Sequence, residues 1–144
     1  MVDPRRIADI LGGSHVLHRP VRSLAELTDM VEHGVPKSAL RAVARALADD
    51  AAGQRRIMFR VVPEATYKRR RDRLNRNESE RTERLARVVA MASQVWDDRD
   101  ETRRFLGAEH PALAGKTPLE VAFSELGARQ VEELLARIQY GLPA

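Results

Sequence analysis

The chain has 144 residues, with 25 Lys and Arg against 21 Asp and Glu, and no Cys. That length suits one domain, or two small ones sharing a core, and buries a core without staples. The absence of Cys excludes a disulfide scaffold, a Cys-ligated zinc or iron–sulfur site and a thiol nucleophile, and it fits a reducing compartment such as the cytoplasm.

The net charge of +4 is unevenly spread. Residues 1–54 balance, with 7 basic and 7 acidic side chains; residues 55–87 carry 12 basic and 5 acidic; residues 88–144 carry 6 basic and 9 acidic. A basic block of this density can neutralise phosphates and release their counterions. An acidic end striped with apolar residues is better suited to a protein partner. Aromatic residues make up 4% of the chain, which argues against a stacking platform for single-stranded nucleic acid. No stretch approaches 18 apolar residues, so neither a leader nor a membrane span is expected.

In chain order, Pro4, Gly12, Gly13 and Pro20 punctuate residues 1–22, which are expected to form a flexible arm with at most one helical turn. Ser23 with Glu26 predicts a capped helix over about 24–33, ended by Gly34. Pro36 opens a second helix to about residue 49. Residues 54–62 suit a short helix or, from their β-branched content, a strand, and the neighbouring helices favour the helix. Pro63 opens the next, over about 64–74. Asn77 with Glu80 reads as a capping box for a helix reaching Trp96, on which Leu85, Val88, Val89, Ala92 and Val95 form the clearest apolar stripe. Asp98 with Glu101 begins a short helix stopped by Gly107. Thr117-Pro118-Leu119-Glu120 begins another, and Gly127 separates it from a last helix over about 128–140. Strand alternation is absent, so the fold is expected to be all-α. It divides into the arm, a DNA-binding region over 23–76 and a helical partner-binding domain over 77–144.

No set of side chains reads as catalytic. His15 and His18 lack further ligands, and His33 and His110 lack a nucleophile partner. Asp97, Asp98, Asp100 and Glu101 lack the spacing of a calcium loop, and no Gly-rich phosphate loop is present. The chain is therefore expected to be neither an enzyme nor a binder of metal or cofactor. Residues 54–74 differ. A short helix, a tight connection and a second helix rich in Lys and Arg outline a helix-turn-helix. In this reading Thr66 and Tyr67 face the groove, Arg69 or Arg70 forks onto guanine, and Lys68 and Arg71 hold phosphates, with Arg55 and Arg56 on the backbone. The alternative is an Arg-rich surface helix that pairs with Glu78, Glu80 and Glu83.

Several separated strings within residues 63–144 resemble the Xre/MbcA/ParS family of antitoxins, partners of RES-domain toxins. Val62-Pro63 followed by Thr66-Tyr67-Lys68-Arg69-Arg70 resembles the family's Pro and Thr-x-x-Arg-Arg recognition helix. Asn77-Glu78-Ser79-Glu80-Arg81 with Arg84-Leu85-Ala86-Arg87-Val88, and Ala92 to Asp98, resemble its next helix, with Trp96 where Phe is usual. Phe105-Leu106 stands where Trp-Leu is usual. Pro111-Ala112-Leu113, Gly115-Lys116-Thr117-Pro118-Leu119-Glu120 and the ending Val131 to Gly141 complete the match. The Gln54–Val62 segment is more basic and bulkier than the family's usual helix.

The resemblance implies a bacterial protein of two functions. The helix-turn-helix represses its own operon, and the C-terminal domain clasps a toxin that resembles ADP-ribosyltransferases and uses NAD. The C-terminal end covers the toxin's NAD pocket. With the match running to Gly141 and a short tail continuing beyond the last helix, this implies that Arg137, Gln139, Tyr140, Gly141, Leu142 and Pro143 meet the toxin. Paired operator half-sites imply a homodimer. The competing reading is a stand-alone transcriptional regulator whose C-terminal domain only dimerises.

Overall fold

A computed structural model describes residues 2–143, and among these the fold is all-α with no strand. It begins where an arm is expected. Asp3 accepts the Arg5 N–H at 2.9 Å and, with Pro4 in the first turn, starts α1 (Pro4–Ile10); a left-handed Gly12 then breaks the chain before α2 (Gly13–Leu17). Val2, Ile7, Ala8, Leu11, Leu17 and Val21 are all buried. The expectation of at most one helical turn in the arm over 1–22 is thus corrected: two helices form there and their apolar side chains pack on the core. Burying the large apolar side chains among them, each contributing about 1.5–3 kcal/mol, opposes the entropy cost of ordering the segment.

Ser23 caps α3 (Leu24–His33) by accepting from the Glu26 N–H at 3.1 Å, while the Glu26 carboxylate takes the Arg22 N–H. Next come α4 (Lys37–Leu47) and α5 (Ala51–Val61), so the ambiguous 54–62 stretch is helical and starts earlier than expected, at a cap made by Asp50. Pro63 then turns the chain into α6 (Glu64–Arg69). The long α7 (Arg76–Trp96) is the central element, with α1, α3, α4, α5 and α10 packed around it. Then follow α8 (Arg99–Gly107), a 3-10 turn at Pro111–Leu113, α9 (Pro118–Val121) and α10 (Glu125–Gln139). Ser124 caps α10 by accepting the Gly127 N–H, so Gly127 lies inside the first turn instead of between two helices.

Two arginines of α8 finish the end of α4. Arg99 donates to the Arg45 carbonyl at 2.9 Å, and Arg103 donates to the carbonyls of Arg45 and Ala46 and pairs with Asp49. The last carbonyls of a helix have no partner within it, and cations there also meet the negative end of its dipole. Trp96 stacks on Phe105 with ring centroids 4.7 Å apart, joining α7 to α8.

Candidate functional site

The helix expected over 64–74 stops at Arg69, because the next residues are committed elsewhere. Arg70 is extended, and the following strip runs antiparallel to Gly34–Lys37: Lys37 N donates to Asp72 O and Leu74 N to Val35 O, both at 2.9 Å. Arg73 Nη1 reaches the Gly34 carbonyl at 2.8 Å. Gly34 has φ +93°, and a Cβ there would sit 2.3 Å from the Leu74 carbonyl oxygen. No other residue type fits that approach.

The latch on α6 is centred on Glu78, only 3% exposed. Its carboxylate takes a two-pronged bond from Arg70, Nε to Oε1 at 3.0 Å and Nη2 to Oε2 at 2.9 Å. The same Oε1 accepts the Asn75 N–H, while Asn75 Oδ1 accepts the Glu78 N–H at 2.8 Å. The capping box of α7 is therefore Asn75–Glu78. The expected Asn77–Glu80 box is corrected: Glu80 pairs instead with Arg76. Burial pushes the Glu78 carboxyl up, but the Arg70 fork and the Asn75 N–H outweigh it and hold it below the usual carboxylate range. From α4, Lys37 Nζ donates to the Arg70 carbonyl at 2.9 Å and lies 4.5 Å from the centre of the Tyr67 ring.

This geometry sorts the eight sequence-designated DNA residues. Tyr67 does not face a groove. It is 7% exposed, packs edge-on to Phe59 at 5.9 Å, and is part of the core. Arg70 is not available to fork onto a base, because its fork is on Glu78. Thr66 is half-buried and accepts from Arg69 at 3.4 Å. Lys68 is exposed and pairs with Glu64 at 2.9 Å. Arg55, Arg56, Arg69 and Arg71 are exposed and have no ion pair among the described residues. Arg55 and Arg56 share a shallow concavity with Phe59 and Glu64, beside the start of α6. The surface-pairing alternative therefore holds for Arg70 with Glu78 alone of the three acids it names. The positioning role of Lys37, Arg73 and Glu78 was not anticipated. Two overlapping Asn-x-x-Glu strings were the signal for Glu78, and only the third dimension says which one Arg70 completes.

At the other end, α10 closes with a complete Schellman motif. Gly141 N donates to Ile138 O at 3.2 Å and Leu142 N to Arg137 O at 2.8 Å, with Gly141 at φ +67°. The tail expected beyond the last helix is thus tied back to it as far as Leu142. Tyr140 and Leu142 are 71% and 58% exposed, an apolar pair held outward by the cap. Gln139 and Pro143 are exposed beside them. Arg137 is exposed and pairs with Glu133 at 2.8 Å, one helical turn back.

Cross-links tie the two ends into one body. Arg60 of α5 stacks 4.1 Å from the ring centre of Phe123, and Arg84 of α7 pairs with Glu125 of α10 at 3.0 Å.

Comparison with known proteins gives these surfaces a context. Residues 26–87 match the antitoxin Xre-like helix-turn-helix domain, and residues 91–141 match the antitoxin Xre/MbcA/ParS C-terminal toxin-binding domain. Among curated relatives, the protein named antitoxin Xre from Pseudomonas putida KT2440 is 33% identical over 84 residues. The aligned stretch covers 56% of this chain and 53% of that protein, about half the length of each. No helix among the described residues is long and apolar enough to cross a membrane.

Proposed function

We propose that this chain is the antitoxin of a toxin–antitoxin pair: it binds a RES-domain toxin that uses NAD, covers the toxin's active site, and as a homodimer represses its own operon in the bacterial cytoplasm. Residues 23–76 act on DNA and residues 77–144 on the toxin.

The observation that carries the reading is the end of α10. Tyr140 and Leu142 project from a helix end within or beside the stretch that resembles a toxin-binding domain. Large apolar side chains held on the surface by a backbone cap are poor for solubility and good for entering a cleft. Arg137 stands one turn earlier. Its exposed pair with Glu133 is of the weak kind, so its guanidinium can exchange that partner for a carboxylate in the cleft. The DNA reading is supported by the four outward guanidiniums, Arg55, Arg56, Arg69 and Arg71, around a connection that Glu78 and Lys37 hold rigid.

The test is co-purification with a RES-domain toxin encoded beside this gene, followed by NAD turnover with and without this chain. Inhibition that disappears on deleting residues 140–144 supports pocket covering. A stable complex with undiminished turnover overturns it. No complex at all leaves the stand-alone regulator, whose binding to its own promoter DNA would still fall steeply with salt.

A further inference from the structure

A groove of about 580 Å³ runs between α1, α3 and α7, with Glu132 of α10 in its wall. Its lining comes from three stretches of the chain. Val2 and Ile7 lie upstream of both matched domains, Leu27, Val31, Glu83 and Arg87 lie in the first, and Met91 and Glu132 lie in the second. Neither matched domain contains the site by itself. A concave space of this size, mostly apolar and polar at a few convergent points, has the form of a small-molecule site, and such sites favour the seams between domains.

The apolar wall is made by side chains that the fold already buries, Val2, Ile7, Leu27 and Val31, with Met91 half-buried beside them. The polar wall is under-bonded. Glu83 and Glu132 share one guanidinium, that of Arg87, and their side chains are only 16% and 24% exposed. Arg87 Nη1 lies 3.8 Å from Glu83, beyond hydrogen-bonding reach. Arg87 Nε is 3.1 Å from Glu132 Oε1 but out of line for a hydrogen bond, and it has no other partner among the described residues. Both carboxylates are therefore paired in charge without a donor on their oxygens. Buried polar groups are ordinarily hydrogen-bonded, and an exception beside a cavity points to a partner that the chain does not supply.

The charge count gives the sign of that partner. Two carboxylates and one guanidinium leave one negative charge over. Burial pushes the Glu83 and Glu132 carboxyls above the usual range, against the pull of Arg87, and the Glu132 charge adds to the rise at Glu83. The rim has no cation to spare: Arg76 is taken by Glu80 at 3.3 Å, and Glu32 has no ion pair among the described residues.

We propose that this groove binds a small organic monocation, an ammonium or guanidinium carried on an apolar body, whose head donates to Glu83 and Glu132 while its body lies against Ile7, Leu27, Val31 and Met91. An ammonium brings three donors to oxygens that have none, and its single charge balances the one left over. A carboxylate head would meet surplus negative charge, and a neutral head would leave that charge unbalanced. The site goes beyond the reading above and uses none of its DNA-facing or toxin-facing residues.

Hexylamine, a cation at pH 7, is the probe, with hexanol and hexanoate as its neutral and anionic counterparts. The full chain, with isotope-labelled methionine methyls, is titrated by NMR. Hexylamine is expected to move the Met91 resonance saturably by the millimolar range and to leave unmoved that of Met58, which is buried in α5 and does not line the groove. Hexanol and hexanoate should bind at least about tenfold more weakly. Glu132→Gln removes the surplus charge and leaves Arg87 paired with Glu83, while Glu83→Gln leaves it paired with Glu132. Neither strands a buried cation, so helix content should hold, and each should weaken hexylamine about tenfold. A Met91 resonance unmoved through the millimolar range overturns the proposal. Hexanol binding as tightly as hexylamine overturns it too, making the groove an apolar hole only, as does hexylamine binding that survives both substitutions. A lysine-rich amphipathic peptide that moves Met91 where hexylamine does not overturns it by giving the groove to a protein.

Discussion

The end of α6 and the end of α10 both show side chains to solvent, but they are held in different ways. At α6 the backbone is gripped from two sides: Lys37 takes the Arg70 carbonyl and Glu78 takes the Arg70 guanidinium, while the strip beyond lies along Gly34–Lys37. At α10, among the described residues, the helix's own last turn does the holding, through the bonds of Gly141 and Leu142 to Ile138 and Arg137. The first arrangement fixes where a surface is and leaves a few guanidiniums pointing away from it. The second leaves large side chains unpacked on a locally closed end. A surface that must meet a rigid lattice of phosphates gains from the first kind of support. One that must enter a cleft needs the second.

Mutations should separate the two kinds of support. The largest effect is expected at Gly34→Ala, where the new methyl meets the Leu74 carbonyl and the backbone is left-handed; a loss of about 2–4 kcal/mol in denaturant unfolding is expected. Next is Glu78→Gln, with a loss of about 1–2 kcal/mol at pH 7. Its sign with pH follows from the lowered carboxyl: the native state favours the ionised form, so the contribution is full above the usual carboxylate range. The gap between wild type and variant should close as pH falls through the depressed native value, and urea titrations at several pH values check this. Smaller in stability, but a direct test of the proposed DNA contact, are the outward arginines. Arg69→Ala or Arg55→Ala should each lower the salt slope of operator binding by about 1, while Tyr67→Phe should leave it unchanged. Smallest is the α10 end: Leu142→Asp should change stability by less than about 0.5 kcal/mol and still abolish inhibition of the toxin. If Leu142→Asp unfolds the chain, the contrast between the two ends is wrong.

Much of this was readable in the sequence, for reasons that differ by element. The helices begun by Ser23, Asp98 and Thr117 follow from side chains that cap the backbone within four residues, a purely local signal. The stripe of α7 also stands, because its period is long and its apolar side chains face the core. The choice between Asn75–Glu78 and Asn77–Glu80 was not local. Both strings offer the same cap, and the decision lies with Arg70, whose carboxylate partner is Glu78. The early stop of α6 is similarly hidden: residues 70–74 have helical composition, and their partner is Gly34–Lys37, more than 30 residues away. Residues 2–21 looked irregular because Gly12, Gly13 and Pro20 interrupt them, yet their scattered apolar side chains converge on the core. For the site, the end of α10 was named only through the resemblance, and composition located the basic block. It gave no means of telling an arginine that faces solvent from one spent on a buried carboxylate.

The length of α7 has a consequence of its own. It carries the Glu78 latch near its start and packs on α10 further along, so both surfaces hang on a single rod of 21 residues, about 30 Å long. On such a rod the angle between attachments is set by residue count, about 100° for each. One alanine inserted between Thr82 and Leu85 would leave each half its own sequence but turn one half against the other by that angle. The bond between Arg84 and Glu125 and the grip on Arg70 would then be unable to form in the same molecule. The bearing between the two proposed surfaces is in this sense a count of residues, written into one helix.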